Sequence, residues 1–512
     1  MAWTGKLGQA LAQGMREMLR RDIRKIQKGE PDLHLEKSSR NVTCEVSADE
    51  ACPLAHLHET EPSLIFPGGR TSCFEDGSKY GFHVYPADTD KLYLHFQGGG
   101  ACWSEMTSTT SMACKDGITG HYTVGIYNRS DDRNPFKSHT IVMVEYCSGD
   151  LFVGDKKQAY GNVTQRGYWN TRVVIDWVEA NFGHGLRSLV IGGCSAGSLG
   201  AQVWTSTVLD ELRYEHAAVV YDSYLPLFPA AAEPLIMNQW GMCNTPLIAG
   251  THWESKCNAQ QLTFGMLLQH AVKMHPHVTF AVLNSKGDET QQYFGNAIGM
   301  TFGTELPFFD DASYFRKANE FLQELNNYPN FVSFMVSGDM YSKHCFLGTR
   351  ALYTATVNGT FLLEKNSKAW PSLGKHSTIL DWLGDVINDG HRVRSDCFGK
   401  QVSRDNWNGI SYCDDDQLPK VIRGRAAWAV ADTLGQKFAN WHAVTKHAGA
   451  PAESPLQAAS LTTVAGLLLI LTARALLIVL RRRRFRSSDI GGWRLAPDNH
   501  DHEALRPGTF ME

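Results

Sequence analysis

The sequence has almost no net charge: 49 Lys and Arg stand against 53 Asp and Glu, a formal balance of −4 over 512 residues. So weak a field points to no nucleic acid and no acidic polymer as partner. None of the twelve cysteines forms a C-x-x-C pair, which turns the expectation away from a zinc site and toward a set of disulfides. There is no internal repeat. The N-terminus also lacks the apolar core, roughly 7 to 15 residues long, of a secretory signal peptide. Residues 1–40 instead carry Leu7, Leu11, Met15, Leu19, Ile23 and Ile26 at helical spacing among basic residues. That pattern predicts an amphipathic basic helix, lying on a membrane surface or packed on the following domain.

Other features nevertheless point to the secretory route. Four N-glycosylation sequons begin at Asn41, Asn128, Asn162 and Asn358, inside the cysteine-bearing region. Residues 461–480, LTTVAGLLLILTARALLIVL, are long enough to cross a bilayer as one helix and are followed at once by RRRRFR. Arg474 would cost about 3 kcal/mol near the centre of such a helix, but it lies close enough to the basic end to snorkel there. The basic run stays cytosolic, so residues before 461 would be lumenal or extracellular. A lumenal domain then predicts either a translation start upstream of Met1, the favoured reading, or entry into the lumen by means the sequence does not show. The expected organisation is a basic segment 1–40, a catalytic domain 41–445, an Ala/Pro/Ser-rich linker 446–460, a transmembrane helix 461–480 and a cytosolic tail 481–512.

With 43% hydrophobic residues the chain can bury a sizeable core. Six apolar runs read as strands: 91–97, 140–147, 188–194, 217–224, 278–284 and 331–337. Near-continuous apolar strands suit a parallel sheet covered on both faces. Residues 166–182 and 196–215 read as crossover helices, so the predicted class is α/β with a mostly parallel central sheet.

In such a sheet chemistry gathers at the carboxyl ends of strands. After the strand at 188–194 comes Gly193-Cys194-Ser195-Ala196-Gly197, a G-x-S-x-G turn opening a helix, with Ser195 as candidate nucleophile. After the strand at 91–97 comes Gly98-Gly99-Gly100-Ala101-Cys102, whose bare backbone can turn N–H groups toward an oxyanion. Gly99, Gly100 and the N–H of Ala196 are the candidate oxyanion hole. After 278–284 the first carboxylate is Asp288, with Glu289 and Asp339 as rivals, and after 331–337 comes His344. The pattern predicts a Ser195–His344–Asp288 relay in which the imidazole moves the proton and the acid fixes its tautomer.

DGSKYGFHV (76–84), LHFQGGGACWS (94–104), YCSGD (146–150), GCSAGSLGA (193–201), GDETQ (287–291) and KHC (343–345) together resemble the pectin acetylesterase family, which includes the Notum-type carboxylesterases. The resemblance spans about residues 70–390. It implies an α/β-hydrolase fold and Ser-His-Asp hydrolysis of carboxylic esters, with Ser195, Asp288, His344 and the 98–100 loop at the family's functional positions. Plant members typically read G-G-G-W-C where this chain has Gly98 to Cys102, and Ser198 stands at a usual glycine. The substrate class so implied is an acylated polysaccharide such as pectin, with acetyl the first choice of acyl group and a Notum-like protein or lipid ester the alternative. A glycan-binding pseudoenzyme and a membrane tether that acts through its tail are the rivals of another class. Neither a metal nor a cofactor is expected, residues 391–445 receive no function, and the oligomeric state is not legible.

Overall fold

The computed structural model describes residues 35–36, 42–110, 113–229, 231–302, 309–336, 343–355, 378–388, 395–397 and 400–402. An eleven-stranded sheet runs through them. Its strands in chain order are β1 (Val42–Glu45), β2 (Ser63–Phe66), β3 (Phe82–Tyr85), β4 (Asp88–Phe96), β5 (His139–Val144), β6 (Leu186–Cys194), β7 (Tyr214–Asp222), β8 (Thr279–Ser285), β9 (Phe331–Val336), β10 (Ser395–Cys397) and β11 (Lys400–Val402). Across the sheet the order is β11-β10-β9-β8-β7-β6-β4-β5-β3-β2-β1. The stretch from β10 to β5 is parallel throughout. Antiparallel pairing occurs at β3 against β2 and β5, and at β10 against β11.

Each of the six apolar runs read from the sequence lies on one of β4 to β9. Their side chains alternate between two cores, as the two-residue period of a strand requires. On β6, Leu189 and Ile191 join Val174, Val178 and Trp204 on one face, while Val190 joins Trp382, Leu383 and Val386 on the other. Burying such a side chain contributes about 1.5–3 kcal/mol. The first face is covered by α1 (Gly167–Phe182) and α2 (Ala196–Glu211), and the second by Ile379–Asn388. The predicted helix 196–215 stops at Glu211 because Leu212 is extended and β7 begins at Tyr214.

The chain runs from β4 outward to β5 and then returns to lay β6 on the other side of β4. The carboxyl ends of β4 and β6 therefore face a topological switch point, the crevice where open parallel sheets bind ligands. The 98–102 glycine loop and Ser195 follow those two ends.

Residues 395–397 and 400–402, left without a role by the sequence, extend the sheet at its edge. Among the described residues no helix is long and apolar enough to cross a membrane. The segments 446–460, 461–480 and 481–512, and 1–40 apart from Leu35 and Glu36, lie outside the described residues.

One buried acid makes the fold respond to pH. Glu233, in the first turn of α3 (Ala232–Trp240), accepts the Phe264 N–H that starts α4 (Phe264–Met274). Burial pushes its carboxyl up to about 8, against the smaller opposing effect of that hydrogen bond. A raised folded-state pKa means that the fold is favoured while the acid is protonated, and that this contribution is lost as pH rises from about 4.5 through 8. Glu233→Gln keeps the acceptor and loses the titration. Relative to this variant, wild-type unfolding free energy should fall by up to about 1.4 kcal/mol per pH unit between pH 5.5 and 7.5, measured by urea unfolding.

Candidate active site

Ser195 is the turn residue between β6 and α2, with φ 57° and ψ −122°. A non-glycine residue holds such angles only where its surroundings over-determine it. Its N–H donates to the Asp222 carbonyl at the end of β7 (3.0 Å), and its own carbonyl accepts the Ser198 N–H (2.9 Å). Gly193 and Gly197 make the turn possible: a Cβ on Gly197 would strike the Phe96 carbonyl, and one on Gly193 would sit 2.6 Å from the same oxygen. A Cβ on Gly98 would lie 2.8 Å from the Cys194 carbonyl and 3.2 Å from Cβ of Ser195, which puts the glycine loop directly against the turn.

That loop is tied down on its far side. The Gly99 carbonyl accepts the Lys115 N–H (2.9 Å), Ala101 N–H donates to the Ala113 carbonyl (3.1 Å), and Cys102 is bonded to Cys114. Gly100 has φ +74°, and a Cβ there would collide with the Ala113 carbonyl, so glycine is required on both counts. Gly100, Ser195 and Ala196 line one small surface pocket, walled further by Trp103, Leu151, Tyr224, Phe228 and Trp240 among others. No charged side chain lines it.

The acid and the base meet from separate loops. His344 Nδ1 lies 2.7 Å from Asp288 Oδ2, with the two side chains 10% and 0% exposed. An ionised carboxylate only accepts, which assigns the proton to Nδ1 and makes Nε2 the basic nitrogen. Asp288 sits just before α5 (Glu289–Phe302). Its rival Glu289 is exposed at the helix start, and Asp339 lies outside the described residues. Among the described residues no strand or helix carries His344, which lies in irregular chain before the helix that begins at Ala351. Its loop is held instead by hydrogen bonds. Ser285 Oγ donates to the Lys343 carbonyl (2.5 Å), and Cys345 N–H donates to Ser223 Oγ (2.8 Å). The N–H groups of Phe346 and Leu347 both donate to Asp222 Oδ2 (2.8 and 2.7 Å).

Two residues escaped the sequence reading. Asp222 anchors the histidine loop through its carboxylate and Ser195 through its carbonyl; burial raises its pKa to about 6, opposed by the N–H donors it collects and the Ser223 hydroxyl. Asp222 lies inside the apolar run 217–224, which reads as strand, so no position after a strand end marks it. Gln291 clamps Asp288: its N–H donates to Oδ1 (2.9 Å) and its side-chain amide to Oδ2 (2.8 Å). The signal was the three-residue spacing in GDETQ, which puts Gln291 in the first turn of α5 above the aspartate. Ser198, standing at a usual glycine, donates to the Tyr224 carbonyl (3.3 Å).

Ten of the twelve cysteines form five disulfides, Cys44–Cys52, Cys73–Cys147, Cys102–Cys114, Cys194–Cys345 and Cys243–Cys257. Among the described residues two clusters have metal-like spacing, Cys194/His344/Cys345 and Cys44/Glu50/Cys52. In each the two sulfurs are bonded to one another and offer no thiolate. Of the sequon asparagines, Asn162 is exposed and Asn128 half-buried, while Asn41 and Asn358 lie outside the described residues.

Gln291→Ala removes the side-chain donor that fixes Asp288 Oδ2. The expected result is a fall in kcat of about 10- to 100-fold with KM within about threefold, read from initial rates on p-nitrophenyl acetate.

Residues 69–223, which hold the glycine loop, the 146–150 stretch and the Ser195 turn, match the family model described as pectinacetylesterase. Among solved structures, the Wnt deacylase Notum from Drosophila is similar at 18% identity and a TM-score of 0.40, over 60% of this chain and 91% of that one. The segment that carries the glycine loop and the Ser195 turn is thus similar to the pectinacetylesterase family.

Proposed function

We propose that the protein is a serine esterase that removes short acyl groups, acetyl first, from a polysaccharide, with Ser195 as nucleophile, His344 as general base and Asp288 as the acid that orients it. The observation that carries this reading is that Ser195, Gly100 and Ala196 line one uncharged pocket while the hydrogen-bonded Asp288–His344 pair brings a ring nitrogen within 4.8 Å of the sulfur of Cys194, next to Ser195. An apolar wall accepts an acyl group and rejects carboxylates and hydroxyls that would lose their water. The carbohydrate then stays at the mouth while the acyl carbon reaches the serine.

In the first step Ser195 Oγ attacks the ester carbonyl and its proton passes to His344 Nε2. The charge formed on the carbonyl oxygen is met by the N–H groups of Gly99, Gly100 and Ala196. Collapse expels the alcohol, which takes the proton from the imidazolium, and leaves an acyl-serine. Water, deprotonated by His344, then releases the carboxylic acid. Throughout, Asp288 stabilises the positive imidazole and holds Nδ1–H in place.

The five disulfides support a catalytic domain that works in an oxidising compartment, the secretory lumen or the cell exterior. The apolar run 461–480 and the basic residues after it support a single membrane anchor with residues 481–512 in the cytosol. The exposed Asn162 supports N-glycosylation there, with Asn41, Asn128 and Asn358 as further acceptors.

A fluorophosphonate probe tests the nucleophile. Wild type should be labelled at Ser195 and Ser195→Ala should not; an unlabelled wild type refutes the esterase and favours a glycan-binding role. On p-nitrophenyl esters, acetate should be cleaved with a kcat/KM at least about tenfold above octanoate. The reverse preference would replace the polysaccharide by a lipid ester as substrate.

A further inference from the structure

We infer that the Cys194–Cys345 disulfide is a positioning element of the catalytic machinery, holding the base-bearing loop against the nucleophile turn. This inference rests on the proposed roles of Ser195 and His344. Cys194 immediately precedes Ser195, and Cys345 immediately follows His344. The bond therefore joins the two reacting residues through their nearest chain neighbours, across 151 positions of sequence. The Cα atoms of the two cysteines are 5.8 Å apart, within the ordinary range for a disulfide. A ring nitrogen of His344 lies within 4.8 Å of both sulfurs.

The need for such a tie follows from the local backbone. Ser195 sits on a rigid junction between β6 and α2. His344 has no strand or helix beneath it, and Cys345 next to it takes φ +63°, a left-handed conformation that a side chain opposes. Left to itself, that segment would relax toward φ below zero and turn the imidazole away. Two constraints act against this. One is the set of N–H donors from residues 345–347 to Ser223 and Asp222, and the Asp222 carbonyl in turn accepts the Ser195 N–H. The other is the covalent bond. Hydrogen bonds locate the loop backbone, whereas the bridge fixes the separation of the two reacting residues, on which proton transfer depends steeply. The other four disulfides include neither chain neighbour of Ser195 nor of His344.

The test compares Cys194→Ala/Cys345→Ala with Cys44→Ala/Cys52→Ala, which removes a bridge at β1, an outermost strand of the sheet, in the full-length protein. The near-ultraviolet circular dichroism of each variant reports its folded fraction. On p-nitrophenyl acetate the first variant should lose about 30-fold or more in kcat per folded molecule with KM within about threefold, and its fluorophosphonate labelling should slow by a similar factor. The second variant should keep the wild-type kcat. A kcat within about threefold of wild type in the first variant, or an equal loss in both, overturns the inference. Should the first variant fail to fold, wild type is titrated with dithiothreitol and the alkylated cysteines are identified by mass spectrometry. Activity that falls with opening of Cys194–Cys345 while the dichroism holds supports the positioning role. Activity that survives its opening, or is lost only together with the dichroism signal, overturns it. An inert wild type would instead refute the esterase reading, an outcome separate from all of these.

Discussion

The backbone of Ser195, at φ 57°, is the constraint on which the rest of the site depends. Such a turn forces the chain from strand to helix so abruptly that the carbonyl of Phe96, on the neighbouring strand, comes against Gly193 and Gly197 two residues to either side, and only hydrogen fits there. The same crowding brings Gly98 onto the turn, so the glycine loop is packed against the serine by the geometry that shapes the turn. Sheet order provides the setting. With β4 and β6 adjacent and their connections leaving in opposite directions, two loops open onto one crevice and neither roofs the other.

Around that crevice the protein uses buried carboxylates as clips for irregular chain. Asp150, after β5, accepts the N–H groups of Phe152, Gly154 and Gly167 and the Ser148 hydroxyl. It thereby holds Leu151 and Phe152 at positive φ and the start of α1 in place. Asp222, ending β7, does the same for residues 346 and 347. Burial raises both to about 6, the cost of taking an anion out of water, and the N–H donors pull in the opposite direction. Asp288, after β8, is held in kind by Gln291 but spends one oxygen on an imidazole. The ends of β5, β7 and β8 thus share one device, and at the last of them it also holds an imidazole.

The central fold was legible because strands buried on both faces leave unbroken apolar runs, and all six such runs became strands. The edges were not. Val42–Glu45 alternates half-buried with exposed residues, and Ser395–Cys397 has three residues, too few for a period to register. At the site, Ser195 and the glycine loop could be read locally, since each is a short pattern directly after a strand. The sequence offers Asp288 and Glu289 side by side, and burial separates them: adjacent residues at a helix start face opposite environments, Asp288 buried against His344 and Glu289 exposed. Asp222 and the pairing of Cys194 with Cys345 join positions more than 100 residues apart. No spacing rule reaches that far, and twelve cysteines admit too many pairings to choose among.

The 151-residue span between Cys194 and Cys345 also sets an order of events at birth. At roughly 5–20 residues per second, the ribosome needs about 8 to 30 s to travel from one to the other. Throughout that interval the emerging chain already carries its serine elbow but has no imidazole to arm it. On the proposed roles of Ser195 and His344, hydrolytic competence then belongs to the finished and oxidised polypeptide, and a nascent or truncated product ending before His344 is chemically silent toward esters.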